Sequence, residues 1–150
     1  MDFQAIYDKI KDYALGTQTV ESFYIGDPYM NFNSLNINYA AFNVQINNIR
    51  RSDGNDIINF QFCWAGKLLN DSSNLFTLQS NGYNAVINVI RHLKDEYQLD
   101  DYSEILISPF FQQFSDILAG VWCDVNIYIP IDDVCEDFDK ISDSDYGASD

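Results

Sequence analysis

Positive charge is scarce in this chain of 150 residues: eight lysines and arginines face 23 aspartates and glutamates, a formal net charge of −15. Gripping nucleic acid by neutralising its phosphates needs the opposite balance, so that function class is set aside. Histidine is nearly missing as well, with His92 alone, and the three cysteines are Cys63, Cys123 and Cys135. A zinc site asks for about four soft ligands at close spacing, and this scatter supplies none. An odd number of thiols without paired spacing gives no disulfide framework. Cys63 and Cys123 fall in strand-like runs, where a thiol acts as a small hydrophobe, so a reducing compartment is the expectation. No apolar run approaches the ~20 residues of a membrane span, and the first residues lack a basic-then-apolar leader. A soluble chain starting at Met1 is expected.

What the chain does have is apolar and aromatic content, 47% and 15% of residues. A single chain of this length can bury roughly 70% of its unfolded surface, enough for a real core. The acidity is uneven. Residues 132–150 hold Asp132, Asp133, Glu136, Asp137, Asp139, Asp143, Asp145 and Asp150 against Lys140 alone. The division expected is a folded domain over 1–131 and an acidic tail or docking arm over 132–150. Val134, Phe138, Ile141 and Tyr146 punctuate that arm, so both a solvated tail and an arm that folds onto another subunit stay open.

Along the chain, Phe3, Ile6, Ile10, Tyr13 and Ala14 form one helical stripe that Gly16 ends. The segment 20–26 reads as a short strand closed by Gly26-Asp27-Pro28, and the asparagine-rich passage after it as loop. Phe42, Val44 and Ile46 then alternate with Asn43, Gln45 and Asn47, and Ile58, Phe60, Phe62 and Trp64 with Asn59, Gln61 and Cys63. This is a long β-hairpin with one apolar and one amide-rich face, its loop over 48–56 long enough to project. Leu75, Leu78, Gly82, Val86, Val89, Ile90, Leu93 and Tyr97 mark a second helix, with a cap among Asp71–Ser73. Gly82 inside it costs ~1 kcal/mol relative to alanine, which implies close packing against the sheet. Strands follow at 104–108 and from Ile117, with a bend or bulge near 115–120. The layout is α+β, in the order α-β-β-β-α-β-β, a mainly antiparallel sheet with two helices on one face. Its second face, with Asn43, Gln45, Asn47, Asn59, Gln61, Trp122, Asn126 and Tyr128, would be polar yet uncharged.

Catalysis has few carriers. His92 reads as an ordinary surface residue near a helix C-terminus, where a cation is welcome. Asp53, Asp56, Asp71 and the Asp100-Asp101 pair lack calcium-loop spacing, and Gly26-Asp27-Pro28 has neither the glycines nor the lysine of a phosphate loop. No enzyme activity, metal or cofactor is expected. Interaction surfaces are: Arg50 and Arg51 at the base of the hairpin loop, Trp122, Asn126 and Tyr128 on the uncharged face, and Phe138 in the arm.

The stretches FYIGDPY (23–29) and FQQFSDILAGVWCDVNIYI (111–129), with the alternating hairpin between them, resemble the small ring proteins of crAss-like bacteriophages. Those are similar to the tail-terminator and tail-completion proteins of tailed phages. The resemblance spans roughly residues 2–130. It implies a virion protein, made in the host cytoplasm, that closes into a homo-oligomeric ring of twelve or six copies at the head–tail connector. Its neighbours would be portal, tail or other ring proteins, with DNA passing through the channel without specific binding. A ring needs a heterologous contact between two different patches. A reading of another class stays beside it: an acidic inhibitor, an immunity protein or DNA mimic, occupying a basic site on an enzyme.

Overall fold

The computed structural model describes residues 2–34, 36–101, 104–114 and 117–131; the acidic segment 132–150, with Cys135 and Phe138, lies outside them. Helix α1 spans Phe3–Leu15, strand β1 Ser22–Ile25, helix α2 Pro28–Phe32, and strands β2 and β3 Ala41–Ser52 and Asn55–Lys67. Helix α3 follows at Leu75–Lys94, then β4 at Gln98–Leu99, β5 at Ile107–Gln113 and β6 at Leu118–Pro130. The fold is α+β, with a mixed sheet of six strands in which β1 runs parallel to β2 and every other pairing is antiparallel. The order across the sheet is β1-β2-β3-β6, and the far edge of β6 is shared by β4 and β5.

The sheet is organised by β3, which pairs along its whole length with β6 and with β2. Its alternation puts Ile58, Phe60, Phe62 and Trp64 into one core with Phe42 and Val44 of β2 and Val121, Cys123, Val125 and Ile127 of β6. The apolar stripes of α1 (Ile6, Ile10, Ala14) and α3 (Ala85, Val86, Val89, Ile90, Leu93) close that core from above. Trp64 lies at its centre, 1% exposed, its indole N–H donating to the Thr19 carbonyl at 3.1 Å. Gly82 allows α3 to approach this ring: a Cβ there would stand 2.9 Å from Trp64 Cε3 and 3.1 Å from Val121 Cγ2.

Several sequence expectations change. The passage after Pro28 is a short helix, α2, with Asp27 as its N-cap accepting from the Tyr29 N–H at 2.9 Å and Pro28 in the first turn. The hairpin loop does not project. Pairing continues to Ser52↔Asn55, leaving Asp53 and Gly54 as the turn, with φ of 51° and 79°. Two successive positive φ values are what a type I′ turn needs to match strand twist. A bulge between Ile46 and Asn48 adds one residue to β2. Strand β5 occupies 107–113 rather than 104–108, and the irregularity of the final hairpin falls between Phe111 and Gln113, with Gln112 at φ 56°. The N-cap of α3 is Asn74, not a residue among Asp71–Ser73.

Candidate functional site

The second sheet face divides in two. Near β1 it is apolar and covered from within: Phe32 of α2 packs with Ala41, Cys63, Ala65, Phe110 and Leu118, beside Tyr39, Phe114 and Trp122. Trp122 sits half-buried in an aromatic cluster, its ring 5.6 Å from Phe110, 5.8 Å from Phe114 and 6.1 Å from Tyr29. The cover over this tryptophan is therefore the chain's own. Asn43, which the alternation puts on an open polar face, is buried beneath α2. Its amide donates to the Gly26 carbonyl at 2.9 Å and accepts from Asn31 Nδ2 at 2.7 Å, pinning the β1–α2 turn to the sheet.

Toward the hairpin tip the face is a ladder of amides. Gln45 Nε2 donates to Gln61 Oε1 at 2.9 Å; in the next row Asn47 Nδ2 donates to Asn59 Oδ1, and Asn59 Nδ2 to Asn126 Oδ1, each at 2.9 Å. The bulge in β2 is what brings Asn47 into line with Asn59. The ladder ends on Asp100, whose carboxylate accepts the Asn126 backbone N–H at 3.1 Å and the Tyr128 hydroxyl at 3.0 Å. That hydrogen bond to a carboxylate, with burial behind it, raises the Tyr128 phenol above its usual range. Asp124 borders the same cleft of about 330 Å³, with Asp100, Glu104, Leu106 and Ser108 along its edge. Burial raises the Asp124 carboxyl, opposed by a hydrogen bond with Asn47.

Arg50 and Arg51 stand in β2 rather than in a loop, and on opposite faces. Arg50 lies across from Ile57 and Tyr128 on the amide face, whereas Arg51 turns to the other side and pairs with Asp56 at 3.0 Å. Asn126 and Tyr128 share one neighbourhood through Asp100, and Trp122 belongs to the separate aromatic cluster. Phe138 lies outside the described residues. Cys63 and Cys123 fall in the two different cores, on opposite sides of the sheet, so they cannot bond to each other. Burial drives the Cys63 thiol well up and Cys123 to about 12, which leaves both as packing groups rather than nucleophiles.

Chemically this surface can hydrogen-bond and pack. Among the described residues there is no grouping of three or more His, Cys, Asp or Glu that could hold a metal ion, and no helix long and apolar enough to cross a membrane. Asp100 as the end of the ladder, and the cover supplied by α2, were not found from sequence. The cap-and-proline pair Asp27-Pro28 was the available signal for α2. No protein-family model matches this chain, and no curated protein matches it either.

Proposed function

We propose that this chain is a structural virion protein that assembles into a closed ring at the head–tail connector of a tailed bacteriophage, joining head to tail and lining part of the DNA channel. The observation that carries the reading is a pair of bare strand edges at opposite ends of one sheet. On β2, strand β1 covers only Ala41–Val44. From there to Ser52 no strand runs along the edge of β2 opposite β3 among the described residues, and Ile49 is exposed. At the far end β5 pairs, among the described residues, only with β6. Two different open edges on one subunit are the means for head-to-tail addition of identical copies, the contact that closes rings.

The amide ladder next to the β2 edge adds a hydrogen-bonding surface suited to a neighbour, although the face is not uncharged as its alternation suggests, because Arg50, Asp100 and Asp124 stand on it or at its end. The net charge of −15 suits a channel wall, since it repels DNA phosphates and lets the duplex slide. In this reading the sheet belongs to the tail-terminator-like arrangement, and the chain has no catalytic, metal or cofactor role. The test is quantitative mass spectrometry and electron microscopy of purified particles. The reading expects a fixed, many-fold copy number and a ring at the connector; absence from particles overturns it. The inhibitor reading rests on charge alone, and recovery of a one-to-one complex with a basic enzyme would favour it.

A further inference from the structure

We infer that the cleft between α3 and β5 receives the C-terminal arm of a second copy, residues 133–141, bound as an amphipathic helix. This rests on the self-assembly reading and names the contact within it. The cleft, of about 360 Å³, is lined by Phe76, Gln79, Ser80, Tyr83, Asn84, Ile107, Pro109 and Val121. Phe76 is 79% exposed and Tyr83 50%, and Phe111 further along β5 is also exposed, so a contiguous aromatic surface lies uncovered beside an open strand edge.

The charge pattern selects the occupant. In a chain with 23 carboxylates, this cleft has none in its lining, whereas the clefts of the other face include Asp27 or Asp100, Glu104 and Asp124. An acidic segment is repelled least here. It is also attracted, because α3 opens beside the cleft at Leu75-Phe76 with no acidic residue in its first turn and no side-chain cap bond from Asn74. The Asn74 amide is engaged elsewhere, accepting from the Leu69 N–H at 2.9 Å and donating to the Lys67 carbonyl at 3.0 Å. The positive end of a 20-residue helix is left for an outside carboxylate.

The arm has the matching pattern. Val134, Phe138 and Ile141 recur at i, i+4 and i+7, the spacing of one helical face, and Asp133 with Glu136 has the form of a capping box at its start. Reach assigns it to a neighbour. Pro130 ends β6 near the hairpin tip, opposite Asn55, while the cleft lies level with Val121 and Cys123, seven to nine residues back. That is a separation of roughly 23–30 Å at strand rise. A link from Pro130 to Asp133 spans at most ~10 Å, and a helix adds ~1.5 Å per residue, so Phe138 reaches only ~17 Å. Bound as this helix, Phe138 falls short of the cleft on its own subunit, which assigns the arm to the cleft of a second copy.

The test places a photo-crosslinking amino acid at Tyr83 in the full chain, in a mixture of light- and heavy-isotope protein. The expected product joins position 83 of one isotope to a peptide within 133–141 of the other. Phe138→Asp and Phe76→Asp should each lower self-association at least tenfold in sedimentation without changing the thermal melt, and the double variant should lose little more. Crosslinks confined to one isotope, crosslinks that miss the arm, a chain monomeric at about 1 mM, or association unmoved by Phe138→Asp each overturn the inference. Rings in particles with Phe138→Asp fully incorporated would sink the arm contact and keep the connector reading. Arm crosslinks in a protein absent from particles would do the reverse.

Discussion

Two glycines set the limits of the core at the scale of single residues. A Cβ on Gly120 would lie 1.8 Å from the Trp64 carbonyl oxygen, a backbone atom of the paired strand that cannot step aside. Gly120→Ala should therefore destabilise by about 3 kcal/mol or more, since β6 and β3 must separate. Gly82→Ala gains ~1 kcal/mol of helix propensity but drives a methyl into the Trp64 ring, with an overpacking cost of about 1–3 kcal/mol, so a smaller net loss is expected. Urea melts of the two variants check both magnitude and order. Asn43→Ala belongs beside them: it strips partners from Asn31 and from the Gly26 carbonyl, and should cost about 1–3 kcal/mol in the same melts. The role of Gly82 was legible, because a glycine inside a strongly periodic helix implies close approach. The role of Asn43 was not. Period two assigns it correctly to the second face, but nothing local tells that a five-residue helix will cover that position.

At the scale of elements, α1 is tied to the end of α3 by one carboxylate. Glu96 accepts from the Tyr13 hydroxyl at 2.5 Å and pairs with Lys9 at 2.6 Å. Those partners hold Glu96 below the usual carboxylate range, and the Glu96 bond, with some burial, raises Tyr13 to about 12. The signs differ. The Glu96 contribution is present above its ordinary value and fades as pH falls through the lowered one. The Tyr13 contribution is complete below the ordinary tyrosine value near 10 and disappears as pH rises through about 12. Glu96→Gln should bring the Tyr13 titration back toward ~10, followed by NMR of that ring against pH; an unmoved titration would mean that the bond is absent in solution. The hairpin was legible because alternation and Asp53-Gly54 agree, down to the positive φ of both turn residues. Strand β5 was misplaced for a physical reason. The Asp100 side chain bonds the Asn126 N–H where a strand neighbour would, so pairing with β6 stops at Leu99 and resumes at Ile107. Pro109 is tolerated within β5 because the strand lies at a sheet edge.

For the whole molecule the charge of −15 sets the terms of any assembly. Identical copies repel one another, so the contacts that join them must be apolar or hydrogen-bonded, and screening the repulsion should help them form. In the proposed assembly, the bare β2 edge and the aromatic cleft beside α3 are the surfaces that would meet those terms. Removing residues 134–150 takes away six carboxylates and one lysine together with Val134, Phe138 and Ile141. If the arm were a passive bristle, its loss would relieve repulsion and strengthen association. With the arm as a contact, the truncated chain should keep its melting temperature and associate at least tenfold more weakly. Salt separates the assembly reading from the inhibitor reading in the full-length chain. Self-association of an acidic protein through uncharged surfaces should strengthen between about 0.05 and 0.5 M salt, as the Debye length shrinks from over 10 Å toward 4 Å. A complex between this chain and a basic enzyme should weaken steeply over the same range. Sedimentation of the purified chain across that series is the measurement. Association that falls with salt would mean that opposite charges hold the copies together, and the cleft beside α3, whose lining carries no charged residue, would then not be the surface that joins them.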